Sequence, residues 1–149
     1  MALRLLLATL ALSPLRRLGW SGAIRHRRMV GLFAFFYATL HFAIWIWLDR
    51  WFLWEEIIAD LLKRPYVTVG FTALMLLVPL ALTSTRAMVR RLGRNWQRLH
   101  YLVYPAAAFA VLHFLWKSKG DDYLEVGVYG AVLALLLGER VVRRVVVAR

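Results

Sequence analysis

Cysteine is absent from the 149-residue sequence, which excludes disulfides, thiolate-ligated metal and haem attached through Cys. No Gly-rich nucleotide fingerprint occurs before the tail ends at Arg149, so a nicotinamide- or flavin-binding domain is not expected within this sequence. No small-residue cleavage site separates the first apolar run, 5–15, from the basic stretch after it, which argues against a cleaved signal peptide. Acidic side chains are scarce, 8 against 20 Lys and Arg, for a net charge of +12. An excess of that size commonly marks a nucleic-acid binder. Here the basic residues sit between apolar runs, and the pattern reads as a topology signal with no nucleic-acid partner.

What the sequence has in abundance is apolar surface: 62% of residues are hydrophobic and mean hydropathy is +0.61. Uncharged runs cover 5–15, 29–48, 66–85, 99–116 and 126–138, with histidines as the only side chains inside them that ordinarily change charge near neutral pH. Crossing about 30 Å of hydrocarbon takes roughly 20 apolar residues, with about 17 tolerated. The runs at 29–48, 66–85 and 99–116 meet that length, the first is short and closed by Pro14, and the last reaches it only with flanking residues. The expectation is an all-α, polytopic membrane helix bundle in one domain, 1–149, with spans near 3–15, 29–48, 66–85, 99–116 and 124–142.

Lys and Arg collect on the cytoplasmic side of short loops. Arg16, Arg17, Arg25, Arg27 and Arg28 fill the first connection, Arg86, Arg90, Arg91, Arg94 and Arg98 the third, and Arg140, Arg143, Arg144 and Arg149 the tail. The other connections carry Asp49, Glu55, Glu56 and Asp60, then Asp121, Asp122 and Glu125, with fewer basic residues. This alternation predicts a cytoplasmic C-terminus. Trp45, Trp47, Trp51 and Trp54 crowd the outer end of one span and Trp116 and Tyr123 flank the other outer turn, as aromatic residues do at membrane interfaces.

Ionisable side chains within apolar spans are costly and point to function. His41 lies in run 29–48, about 18 Å from its inner end at 1.5 Å per residue. His113 lies at the matching outer depth of run 99–116, so the two can face one another as neutral axial ligands on opposite sides of a haem iron. His100 lies roughly 20 Å lower on the helix of His113, which suits a second haem stacked toward the cytoplasm. Their positions differ by about 140° around an ideal helix, and Pro105 between them is the expected site of a kink that aligns them. His26, within Arg25-His26-Arg27-Arg28, reads as a surface residue. The arginines are topology signals first, though their planar guanidinium groups also suit phosphate.

Three stretches then carry a family resemblance. They are Ile24-Arg25-His26-Arg27-Arg28 through Ala38-Thr39-Leu40-His41, Lys63-Arg64-Pro65-Tyr66-Val67-Thr68-Val69-Gly70, and Thr83-Ser84-Thr85 through Leu92-Gly93-Arg94-Asn95-Trp96-Gln97-Arg98-Leu99-His100-Tyr101 to Leu112-His113-Phe114-Leu115-Trp116. In order and spacing they resemble the MsrQ (YedZ) family of ferric-reductase-like transmembrane proteins. The resemblance implies a bacterial inner-membrane haem b protein that also carries FMN. It would pass electrons from the quinone pool, or from a cytosolic flavin reductase, to MsrP, a periplasmic molybdopterin-containing reductase that repairs methionine sulfoxide in oxidised proteins, a reversible lesion. Carried over, His41 and His113 match the family's outer histidines and His100 its inner one, with Arg28 standing where a four-histidine relative places the inner partner. One spanning helix and a His-containing connection usual in the family ahead of Ala2 are expected to be missing. The inner arginines and Trp96 are the candidates for the FMN site.

The expected role is one-electron transfer, as a subunit of an oxidoreductase system and not its catalytic subunit. The alternatives are a stand-alone quinol-oxidising or metal-reducing cytochrome b, and a haem-free structural membrane component that uses its histidines as polar glue. With no nucleotide domain in the sequence, the donor is expected to be a separate protein or a quinol. The outer stretches 49–64 and 117–125 are the expected docking face for a soluble acceptor, with 51–62 an interfacial amphipathic helix.

Overall fold

The computed structural model describes residues 1–17, 19, 21–118 and 123–147, and among these the secondary structure is helical without a strand. Asp121, Asp122 and Arg149, used above to assign sidedness, lie outside the described residues. Helix α1 spans Ala2–Arg17, and a 3-10 turn, Ser21–His26, leads into α2, Arg27–Ile44. Helix α2 runs on into a π-helical turn, Trp45–Asp49. A loop and the short α3, Trp54–Lys63, return the chain to α4, Pro65–Leu82. Two helical pieces, α5 (Arg86–Leu92) and α6 (Arg94–His100), turn the corner into α7, Val103–Lys117, and α8 covers Tyr123–Val147. The segments 27–49, 65–82 and 94–117 are each long and apolar enough to cross a membrane, and Ala2–Leu15 is a shorter apolar helix. The molecule is an all-α, polytopic membrane bundle.

Helices α4 and α7 pack most extensively, followed by α1 on α2. The centre is built from Leu6, Leu7 and Leu10 of α1, Ala34 of α2, Leu77 and Leu80 of α4, Val103, Ala106 and Ala107 of α7, and Leu133 of α8. Ala34, Ala106 and Ala107 are essentially inaccessible. Small residues at crossings let helix backbones approach closely, which is how helices associate where lipid is as apolar as leucine. Many large apolar side chains point outward instead, among them Phe33, Phe36, Leu40 and Ile44 along α2. Hydroxyls are satisfied within their own helices: Thr9 donates to the Leu5 carbonyl at 2.8 Å, Thr83 to Pro79 at 2.6 Å and Ser84 to Leu80 at 2.6 Å. Hydrocarbon offers no alternative partner.

Run 99–116, expected as one helix kinked at Pro105, is two. The chain breaks at Tyr101–Leu102, where backbone bonds shorten to the i→i+3 type: Tyr101 N to Arg98 O at 3.2 Å and Leu102 N to Leu99 O at 3.1 Å. Proline disfavours helical geometry just before it, so the disruption falls N-terminal to the ring and Pro105 sits in the first turn of α7, where no N–H is needed. Gly93 makes the α5–α6 corner with φ +49° and ψ −122°, a conformation open to glycine and strained for other residues.

Another proline explains a long-range bond. Pro14 cannot donate to the carbonyl of Leu10 one turn before it. Arg140 of α8 supplies the missing donor at 2.7 Å and lies 4.9 Å from the Tyr104 ring centroid. A double-mutant cycle of Arg140→Met with Pro14→Ala, which restores a main-chain N–H, is expected to show coupling of about 1 kcal/mol in unfolding stability. Strictly additive effects would show that the bond contributes nothing.

At the opposite end of the bundle Arg4 of α1 meets Glu125 at 2.7 Å and the Tyr129 hydroxyl at 2.6 Å. Nearby, the turn after the π-helical segment places two bulky residues at positive φ, Trp51 at 46° and Phe52 at 58°, a strained arrangement that surrounding structure must hold. Asp60 holds it. Its carboxylate bonds Arg50 from the turn and, at 2.8 Å, Arg64 at the start of α4. Asp60 is buried and is no part of an outer docking face. Trp54, Ile58 and Leu62 form the exposed apolar stripe of α3, while Ile57 is turned inward.

Candidate haem site

Helices α2 and α7 place His41 and His113 against one another with ring centroids 6.2 Å apart and planes at 69°. Two imidazoles bonded on opposite sides of one metal at about 2 Å put their centroids roughly 6 Å apart. The pair therefore fits axial ligation of a haem iron by distance. It does not fit a small-ion site, since no cluster of three or more His, Cys, Asp or Glu side chains occurs among the described residues.

His113 is set by α4. Its Nδ1–H donates to the Tyr66 carbonyl at 2.7 Å, which leaves the lone pair on Nε2. A second ring nitrogen committed to a carbonyl is the usual partner arrangement of a metal-ligating imidazole, because it fixes tautomer and ring plane and raises basicity. The contact depends on Gly70, one turn further along α4. A Cβ there would lie 2.6 Å from His113 Nδ1 and 2.8 Å from Cε1. Gly70 and the Tyr66 carbonyl are site components that residue-type reasoning did not single out, since neither carries chemistry of its own.

His41 is exposed on the surface of the chain. Its neighbours are apolar: Phe42 in the next position stacks on Trp45 at 5.7 Å and meets Phe71 of α4 at 5.4 Å.

His100 is not part of this pair. It lies toward the arginine end, with its Nδ1–H donating to the Trp96 carbonyl at 3.1 Å and its ring stacked on the Trp96 indole at 3.9 Å. Both border a cavity of about 510 Å³ between α1, α2, α4 and the α5–α7 segment, a size that takes a substantial organic ligand. Leu6, Leu32, Phe35, Leu77, Leu80 and Val103 form its apolar walls, and Arg25, Arg27, Arg28 and Arg86 its cationic rim. Among the described residues no acidic side chain lines it. Arg28 is thus in the same cavity as His100, whereas His26 is exposed and does not line it. No second histidine approaches His100 among the described residues.

The profile of the family described as "Ferric reductase like transmembrane component" matches residues 1–111. The chain belongs to that family. Among curated proteins it is similar to the protein-methionine-sulfoxide reductase heme-binding subunit MsrQ of Xanthomonas campestris pv. campestris strain 8004, with 57% identity over 144 residues, 96% of this chain and 66% of the relative. The same-named proteins of Xanthomonas axonopodis pv. citri strain 306 and Ralstonia nicotianae strain GMI1000 are 57% and 54% identical over 94% and 92% of this chain. The chain spans 64% of the length of each of those two, so it corresponds to a little under two thirds of the curated relatives. No solved structure matches it.

Proposed function

We propose that the chain is the haem-binding, electron-carrying membrane subunit of a methionine sulfoxide reductase system. The observation that carries this reading is the facing pair His41 and His113, at the separation of two imidazoles on one iron and with the outward nitrogen of His113 held by the Tyr66 carbonyl. Similarity to proteins named heme-binding subunit MsrQ supports it.

When bound, haem b supplies a one-electron iron couple whose potential follows its ligands and their surroundings. What the chain supplies is position. His113 presents Nε2 on a fixed ring plane, His41 closes the opposite side from α2, and Phe42 and Phe71 keep the neighbourhood apolar. At the arginine end His100 and Trp96 offer an imidazole and an aromatic face, while Arg25, Arg28 and Arg86 offer guanidinium donors to carboxylate or phosphate groups. That cavity is the place for a second haem, its propionates on the arginines, or for FMN.

The Lys and Arg bias orients the arginine end toward the cytoplasm of a bacterial inner membrane, with the C-terminus inside. In that orientation electrons enter from the quinone pool or a cytosolic flavin reductase and leave from the His41–His113 end to a periplasmic MsrP-type molybdenum reductase. In this reading the chain acts as the electron-transfer subunit, and substrate bonds are broken by its partner.

The test is spectroscopic. In detergent-purified protein, His41→Ala or His113→Ala is expected to abolish or shift the Soret band of the outer haem, while insertion persists because the apolar spans are unchanged. A wild-type spectrum in both variants would overturn the assignment.

A further inference from the structure

Trp96 touches His100 in more ways than a packing neighbour does. Its own carbonyl accepts the His100 Nδ1–H at 3.1 Å, so the residue that holds the ring's tautomer is the one that faces it. The indole lies on the imidazole at 3.9 Å between centroids and 26° between planes, which restricts ring rotation. The indole is itself tethered, its Nε1–H donating at 2.9 Å to the carbonyl of Thr83, the residue capping α4. Thr83 is buried, and its hydroxyl is turned back onto the Pro79 carbonyl. The orientation of His100 is therefore referred, through the Trp96 indole as well as by the Leu80 main chain, to the end of the central helix α4.

The geometry points to Trp96 as the positioning residue of the arginine-end cofactor site. Its indole fixes the ring plane of His100 and thereby sets both retention and potential of the haem bound there, while its main-chain carbonyl, which a substitution does not remove, holds the tautomer. The inference rests on the reading of His100 as an iron ligand. Residues that orient a metal-ligating imidazole commonly change affinity by about 10- to 100-fold when removed, and the electronic environment of the ligand moves the potential of the metal.

The experiment compares Trp96→Leu, Trp96→Phe and His100→Ala in the purified, haem-loaded protein, by haem content, redox titration and electron paramagnetic resonance. His100→Ala is expected to remove one haem component and leave the His41–His113 component in place. Trp96→Leu should lower retention of that same component at least tenfold on dilution, broaden its resonance and displace its midpoint potential. Trp96→Phe keeps an aromatic face without the Thr83 tether, and should restore the resonance and retention in part. An outer component with unaltered potential in all three variants shows that the bundle has folded. A Trp96→Leu protein whose His100-dependent component keeps its resonance and potential would overturn the positioning role alone. A His100→Ala protein that retains every haem component would overturn the ligand reading, and the positioning role with it.

Discussion

Gly70→Ala is expected to strip the protein of its outer haem while leaving every histidine in place. A Cβ at this position would stand 2.6 Å from His113 Nδ1, 2.8 Å from Cε1 and 3.0 Å from Cγ, closer than atoms approach without displacement. The alanine is fixed to the backbone of α4, so either the imidazole swings away or α4 and α7 move apart. Swinging the ring breaks its 2.7 Å bond to the Tyr66 carbonyl and turns Nε2 away from His41. Moving the helices disturbs the most extensive contact of the bundle, and overpacking of that kind costs about 1–3 kcal/mol. Gly130→Ala in α8 is the control, since a Cβ there meets nothing within 4 Å. Absorbance should show the outer component lost or shifted in the first variant and intact in the second; equal spectra would show that Gly70 is not what admits His113.

Asp60→Ala is expected to give the largest loss of stability of any single substitution in the segment between α2 and α4. The carboxylate has only 11% side-chain exposure and neutralises Arg50, whose side chain is 20% exposed. Losing that ion pair, with the more exposed Glu56 the partner left to Arg50, is expected to cost about 3 kcal/mol, the low end for breaking a buried ion pair. The arm to Arg64 adds little, because Arg64 is half exposed. With the clamp gone, the positive φ angles of Trp51 and Phe52 are left to main-chain bonds such as Phe52 N–H to the Ile46 carbonyl at 3.2 Å, and the turn should relax and become open to proteolysis. Glu56→Gln, which removes an ion pair at a residue 54% exposed, should change stability by less than about 0.5 kcal/mol. Thermal unfolding in detergent separates the two; similar melting points would show that Asp60 is not the clamp.

How far the fold could be read in advance depended on whether a feature is written in residue type or in approach. Apolar run length is written in type, so the helices stand close to where the runs put them. The facing of His41 and His113 followed from depth on two helices running the same way. The break at Tyr101–Leu102 was displaced from its proline, because the ring acts on the geometry of the residues before it. Gly70 matters only through the register of α4 against α7, which no local pattern encodes. Trp96 and His100 are one helical turn apart and were separately visible, but the stack required α6 to exist as its own piece, and the tether required α4 to end at Thr83. Asp60 was read with Glu55 and Glu56 as outward acidic charge, whereas its burial comes from meeting arginines on both sides of its own loop.

The bond between Arg140 and Leu10 links positions 130 residues apart, and it bears on the order in which the molecule can be made. Pro14 leaves the first helix with a carbonyl that its own turn cannot satisfy. The donor is on α8, which leaves the ribosome after α1 to α7. Until α8 arrives, α1 carries an open acceptor in surroundings that offer no water. Emergence of the chain proceeds from the N-terminus, so α1 is completed only once α8 has followed it. Biogenesis of this bundle is thus closed by a latch rather than built by simple addition.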